Sequence, residues 1–296
     1  SGIATEGEWV NVWACDYDNC NGIDWQAGTG GAFSADMTEI EIDIAPGTHG
    51  NVGRWDENGD GTVIDWRVPN PNFSVNPENN NVWGDEWLGN TDVTLTIGTF
   101  TRTVTSQGDG HVEFNEIPLD LGVGDHLVIS DGENEKDHTI LPFTITGVDE
   151  DTDVVTGTAP DNTWVDAWAC DNNHCEGNGV ESEADGSWEV DLSDRWDIVK
   201  GTWGSARAVY NDGDGTQLDW YIPNPMIYVY PFENKVRGWD LTPGATANLT
   251  IGTYHDSATV DDNWYVEFYT ANDPTPFDIL PGQTVVVADG TNTRSA

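Results

Sequence analysis

Seven residues, Asp56-Glu57-Asn58-Gly59-Asp60-Gly61-Thr62, set side-chain oxygens at alternate positions and then a glycine. The D-x-N-x-D-G spacing suits a hard divalent cation. Oxygens at the first, third and fifth positions converge, and the glycine permits the bend that wraps them round the ion. Candidate calcium ligands are Asp56, Asn58 and Asp60, with Asp65 a little further on. The stretch returns as Asn211-Asp212-Gly213-Asp214-Gly215-Thr216, with Tyr210 at the first position, so Asp212, Asp214 and Asp219 are the matching candidates. Asp16, Asp18 and Asp171, beside cysteines, are further candidates. A tight hairpin calls for the same residues, because Asp-Gly and Asn-Gly supply positive φ.

Four cysteines form two matching pairs, Cys15/Cys20 and Cys170/Cys175. A disulfide within each pair closes a short loop and implies an oxidising, extracytoplasmic setting. The rival is a zinc site using His174, but the first loop has no matching histidine.

Each pair ends a tryptophan-bearing run, EWVNVWAC and TWVDAWAC. A strand sends alternate residues to opposite faces. With Val10, Val12 and Ala14 in a core, Trp9 and Trp13 stand on the other face, as do Trp164 and Trp168. Outward tryptophans make platforms for the flat faces of sugar rings. They serve equally well packed against a neighbouring module.

Catalysis has little support. Paired carboxylates suit glycoside hydrolysis, but 53 acids make close pairs a certainty. The six histidines do not recur at equivalent positions. Nucleophile elbow, phosphate loop and zinc motif are all missing. The chain reads as non-enzymatic.

The elements that position these residues are duplicated. The Cys15/Cys20 pair returns 155 residues later. Pro69-Asn70-Pro71, Leu95-Thr96-Ile97-Gly98-Thr99 and Asp131-Gly132 return as Pro223-Asn224-Pro225, Leu249-Thr250-Ile251-Gly252-Thr253 and Asp289-Gly290. A long repeat of this kind makes the chain an array. Short alternating or β-branched runs dominate, separated by Gly, Asp, Asn and Pro clusters, with no helical period. The expected fold is all-β, with tandem immunoglobulin-like β-sandwich modules as two copies of a two-module repeat. The expected modules are residues 1–75, 76–152, 153–231 and 232–296, the last without its final strand.

The net charge is −43, from 53 acids against 10 bases. Such a surface repels phosphates, which excludes nucleic acid as a partner, and it disfavours anionic membranes. No run approaches transmembrane length. The chain opens after, and closes before, a segment like His138 to Val155. The expectation is either a slice of a longer array, or a subunit whose open edges pair with copies of itself or neighbouring repeats by strand addition.

The VxVW strand, the GDGT-DW turn, the LTIG strand and the closing Asp-Gly resemble tandem immunoglobulin-like repeats of large bacterial secreted and cell-surface proteins. Residues 56–62 also resemble the opening of an EF-hand or dockerin calcium loop, although Arg67 stands where the twelfth-position acid belongs. The repeat resemblance implies an extracellular, non-catalytic structural protein: a modular rod of a stalk, adhesin or filament. A polysaccharide-binding array using Trp9, Trp13, Trp164 and Trp168 is the alternative.

Overall fold

The computed structural model describes residues 1–16, 19–56, 58–210, 212–271 and 276–296. Asp18, Glu57 and Asn211, named above, lie outside the described residues. The chain is all-β, and no helix is long and apolar enough to cross a membrane. It forms two compact units, Ser1–Phe143 with Arg207–Leu218, and Thr144–Ala206 with Asp219–Ala296.

The first unit begins with a four-stranded antiparallel sheet, in the order Cys20–Gln26, Trp9–Cys15, His49–Trp55, Gly61–Arg67. Alternation along Trp9–Cys15 buries Val10, Val12 and Ala14, which meet Phe33, Met37 and Ile42 in one core. Opposite lies a short ribbon in which Gly2–Ile3 pairs with Ala32–Phe33. A second sandwich follows. One sheet runs Phe100–Thr105, Asp92–Ile97, His126–Ser130, Glu135–Thr139, and the other carries Asn72–Asn76, Asn81–Asp85 and Val112–Phe114. Their inward residues, among them Phe73, Val75, Leu95, Leu127 and Ile129, are fully buried. Each such side chain stabilises the fold by about 1.5–3 kcal/mol relative to exposure. Gly215–Thr216 adds to this unit, parallel to Ser74–Val75.

The second unit repeats the plan with a fuller ribbon. Thr144–Asp149 pairs with Val154–Thr158, which pairs along all five residues with Ser187–Asp191. Trp164–Cys170 pairs with Cys175–Glu181. The following sandwich sets Met226–Tyr230, Lys235–Trp239 and Val266–Tyr269 against Tyr254–Thr259, Thr246–Ile251, Val285–Ala288 and Thr293–Ser295. Val236, Leu249, Ile251, Phe268 and Val287 form its core.

Two repeated polar devices hold these sandwiches. Asp131 accepts the amides of Glu133 at 2.9 Å, Asn134 at 2.7 Å and Leu88 at 3.1 Å. Asp289 accepts those of Thr291 at 3.0 Å, Asn292 at 2.6 Å and Thr242 at 2.7 Å. Burial opposes both charges, but the amide donors outweigh it, holding Asp131 low and Asp289 down at about 2. The second device spans the prolines, joining a residue before them to one after them. Arg67 pairs with Glu86, which also accepts the Asn70 amide at 3.0 Å. At the equivalent place in the second unit, the Tyr221 hydroxyl donates to Asp240 at 2.6 Å. Glu86 and Asp240 both take the left-handed conformation, with φ of 61° and 56°.

Candidate functional site

The cysteines are disulfide-bonded, Cys15 to Cys20 and Cys170 to Cys175. Each bond joins register partners at the end of a hairpin. Thiolate ligation of zinc therefore does not arise. His174 instead lies 4.7 Å, centroid to centroid, from Trp196. Inside the loops, Asp16 accepts the Asn19 amide at 2.8 Å, and Asp171 accepts those of Asn173 at 2.7 Å and His174 at 3.1 Å. These amides hold the Asp171 carboxyl below its ordinary range.

The four expected tryptophans stand outward. Trp9, Trp13, Trp164 and Trp168 are between 40% and 61% exposed, while the alternate residues are buried. Three of the rings lie across glycines of the neighbouring strand. A Cβ on Gly22 would meet Trp13 at 2.6 Å, one on Gly177 would meet Trp168 at 2.5 Å, and one on Gly179 would meet Trp164 at 2.7 Å. Glycine thus leaves each ring room to lie flat on the sheet. Trp164 is further fixed by its Nε1, which donates to Asp166 at 2.7 Å. Trp55 and Trp203 are also exposed, in the first and second unit respectively. Sequence reasoning passed over them because they do not occupy equivalent repeat positions, and no other signal marks them.

The acidic turns are built as turns. Asp56 accepts the amides of Asn58 at 2.8 Å and Asp60 at 3.0 Å through one oxygen, and Gly59 takes φ of 88°. Asp65 lies along the following strand opposite Asn51. Asp219 belongs to the second unit, whereas Asp212 and Asp214 belong to the first. Among the described residues, no three His, Cys, Asp or Glu side chains gather to hold a metal.

Asp214 is not solvated like its repeat counterpart Asp60. It is fully buried, and its Oδ1 accepts the Phe73 amide at 2.8 Å. Lys136 Nζ lies 3.9 Å from its other oxygen and donates to the Asp212 carbonyl at 2.8 Å. Beside them, His138 bonds Thr216 Oγ1 at 2.9 Å and packs 4.9 Å from the Tyr210 ring. Burial pushes Asp214 up to about 7, His138 down to about 4 and Tyr210 up to about 12. Thr216 and His138 have the spacing of a nucleophile and its base. Both are buried, however, and a histidine titrating near 4 is a poor base at neutral pH. Sequence reasoning missed this cluster, because its members lie far apart in the chain and do not recur.

No family model and no curated protein matches the chain. Among solved structures, a tetra-tandem repeat from the extending region of a large adhesion protein aligns over 100% of this chain and 92% of its own, at 18% identity and a TM-score of 0.21. A Ca2+-stabilized, ice-binding adhesin of an Antarctic bacterium aligns over 99% of this chain and 90% of its own, at 17% identity and a TM-score of 0.18. Chicken FN1-FN3 domains align over 73% of this chain and 93% of their own, at 8% identity and a TM-score of 0.20. At these levels no activity or partner passes from those proteins to this chain.

Proposed function

We propose that the chain is a non-catalytic structural segment of an extracellular or cell-surface stalk, adhesin or filament, partnered by neighbouring repeats. The observation that carries this reading is what the duplication preserves. Asp131 and Asp289 make the same set of backbone hydrogen bonds, and both disulfides close the same hairpin. These residues frame the fold. The buried cluster round Asp214 does not recur: Asp60 stands exposed at the matching position. The disulfides support an oxidising setting, and the charge of −43 opposes nucleic acid as a partner.

A bound calcium ion would be an addition to this reading. At the first turn it would meet an Asp56 whose Oδ1 already accepts two amides.

The test is a screen of the purified chain for hydrolysis and for polysaccharide binding, read by tryptophan fluorescence. The expected result is no turnover and no saturable quenching. Saturable quenching, lost in Trp13→Ala and Trp168→Ala, would replace the structural reading with a polysaccharide-binding one. That second reading is favoured by the flat, exposed seating of these rings on glycine.

A further inference from the structure

The three-stranded sheet of Met226–Tyr230, Lys235–Trp239 and Val266–Tyr269 gives one face to its sandwich core through Val236, Val266 and Phe268. The alternate residues point the other way. Tyr228, Arg237 and Glu267 lie side by side in the middle row of that outer face, and Tyr230, Lys235 and Tyr269 in the next. The first copy builds the same sheet in the same register. There Ser74 matches Tyr228, Asn76 matches Tyr230, Asp85 matches Trp239, His111 matches Tyr265 and Asn115 matches Tyr269. Polar positions of one copy are thus aromatic in the other. The change is confined to the outer face, since the inward positions stay apolar, Phe73 with Ile227 and Phe114 with Phe268.

The outer face of the second unit is open to water. Tyr228 is 52% exposed and Tyr269 44%, and Phe232, in the turn between the first two strands, stands fully exposed where the first copy has Glu78. A single exposed ring is ordinary, but a contiguous set on one face marks a contact surface. Tyr, Trp, Met and Arg are the residues enriched where proteins meet. The rings do not form a flat platform for sugars. Tyr228 meets Trp239 at 90° and 5.0 Å, and Trp239 meets Tyr265 at 55° and 5.4 Å. The charges on the face are matched. Arg237 Nε donates to Glu267 at 2.6 Å, and Lys235 pairs with Glu233. Both cations lie over the Tyr230 ring, at 5.4 and 4.8 Å from its centroid.

We infer that this face of the second unit is a contact between copies of the chain, each copy presenting the same face to the other. The inference rests on the reading of the chain as structural repeat material partnered by neighbouring repeats. Charge selects the partner. Two chains of net charge −43 repel wherever acids are in excess. On this face Lys235 and Arg237, two of only 10 bases, offset Glu233 and Glu267, so the face adds no repulsion. It is also self-complementary, as a two-fold contact requires. An axis running between the strands Lys235–Trp239 and Val266–Tyr269 brings Arg237 of one copy over Glu267 of the other. Size sets the strength. Three strands about 4.8 Å apart, with five residues of about 3.4 Å each, make a face of roughly 10–15 by 17 Å. That is well below the ~800 Å² per partner of a tight complex, so a single contact is weak and reversible. Repetition along two chains held together multiplies it.

The test follows the weight-average mass of the full chain by light scattering as its concentration rises. It is run in about 1 M salt, where the screening length falls to about 3 Å and the acidic surfaces no longer hold the copies apart. The expected result is a mass that climbs from one chain toward two. Tyr228→Ser with Tyr269→Asn installs the residues of the first copy without changing charge, and should raise the dissociation constant about ten-fold or more with the far-ultraviolet spectrum unchanged. Arg237→Glu and Glu267→Arg should each weaken self-association, and their equimolar mixture should restore it, a recovery that misfolding cannot mimic. A parent mass that stays at one chain overturns the inference. So does association that the Tyr228→Ser, Tyr269→Asn variant keeps, or a mixture that does not recover. Binding of the parent to a neutral polysaccharide or to phosphatidylcholine vesicles, lost in that variant, would give the face another occupant and also overturns it. The proposed function fails instead through turnover, or through quenching lost in Trp13→Ala and Trp168→Ala, so the two failures are distinguishable.

Discussion

Asp214 Oδ1 accepts the backbone amide of Phe73 at 2.8 Å, a bond between residues 141 apart in sequence. The bond explains why a turn residue is buried in this copy. Asp214→Ala leaves the Phe73 amide unpaired in a buried setting, and is expected to destabilise the first unit by about 1–3 kcal/mol. Asp214→Asn keeps an acceptor and removes the charge. Because burial raises the carboxyl to about 7, the folded state holds a proton there that the unfolded state releases near its ordinary value of 3.8. That contribution is present at acid pH and is lost as pH rises from about 4 to about 7. The Asp214→Asn variant should therefore gain relative to the parent over that window, as measured by chemical unfolding at several pH values.

Asp289 has the opposite sign. Its carboxylate is depressed to about 2, so its contribution is present above the ordinary carboxylate range and is lost as pH falls from about 4 to about 2. Asp289→Ala is expected to cost about 2–3 kcal/mol at neutral pH, with the difference from the parent shrinking toward pH 2. A pH-independent difference would assign the loss to packing instead.

Each disulfide closes a loop with a sequence separation of 5. The chain-entropy estimate for such a short loop is about 2 kcal/mol. Reduction, or the paired Cys170→Ser and Cys175→Ser change, should lower the melting temperature while leaving the far-ultraviolet spectrum unchanged. Loss of the whole β signal would mean that the bond does more than close its hairpin.

Gly204 allows two strands to approach closely. A Cβ there would lie 2.0 Å from the carbonyl oxygen of Trp168, and the same holds for Gly50 and the carbonyl of Trp13. Gly204→Ala is expected to cost about 1–3 kcal/mol through forced backbone movement. Unfolding midpoints unchanged from the parent would refute the close approach.

Chelation of divalent cations is expected to leave the unfolding midpoint within experimental error of the untreated protein. Asp56 already holds two amides, and Asp214 has Phe73 and Lys136. A fall in the midpoint that calcium reverses would show that a cation stabilises the fold, and loss of that response in Asp56→Ala would place it in the first turn.

The residues that recur in sequence are those that frame the strands. Asp131 with Asp289, Gly50 with Gly204, and the two cysteine pairs announce the repeat, and each performs the same local task in both copies. The outward tryptophans were legible for the same reason, since strict alternation fixes which face they take. Two features were not legible. The setting of Asp214 depends on Phe73, Lys136 and His138, which meet it only through the fold, while Asp60 at the matching position stays exposed. The different exposure of Ile44 and Ile198, 51% against 0%, was not legible either, because they are the same residue at the same repeat position.

The two contacts that span the prolines have diverged in kind. Arg67 with Glu86 is an ion pair whose side chains are 58% and 28% exposed, so mobile salt ions compete for it and weaken it as ionic strength rises. Tyr221 with Asp240 uses an uncharged donor, held neutral well into alkali because burial, with Asp240, lifts the phenol to about 12. Duplication has thus left one chain with an ion pair at one place and an uncharged donor at the matching one. Rising ionic strength therefore weakens the contact of the first copy more than that of the second.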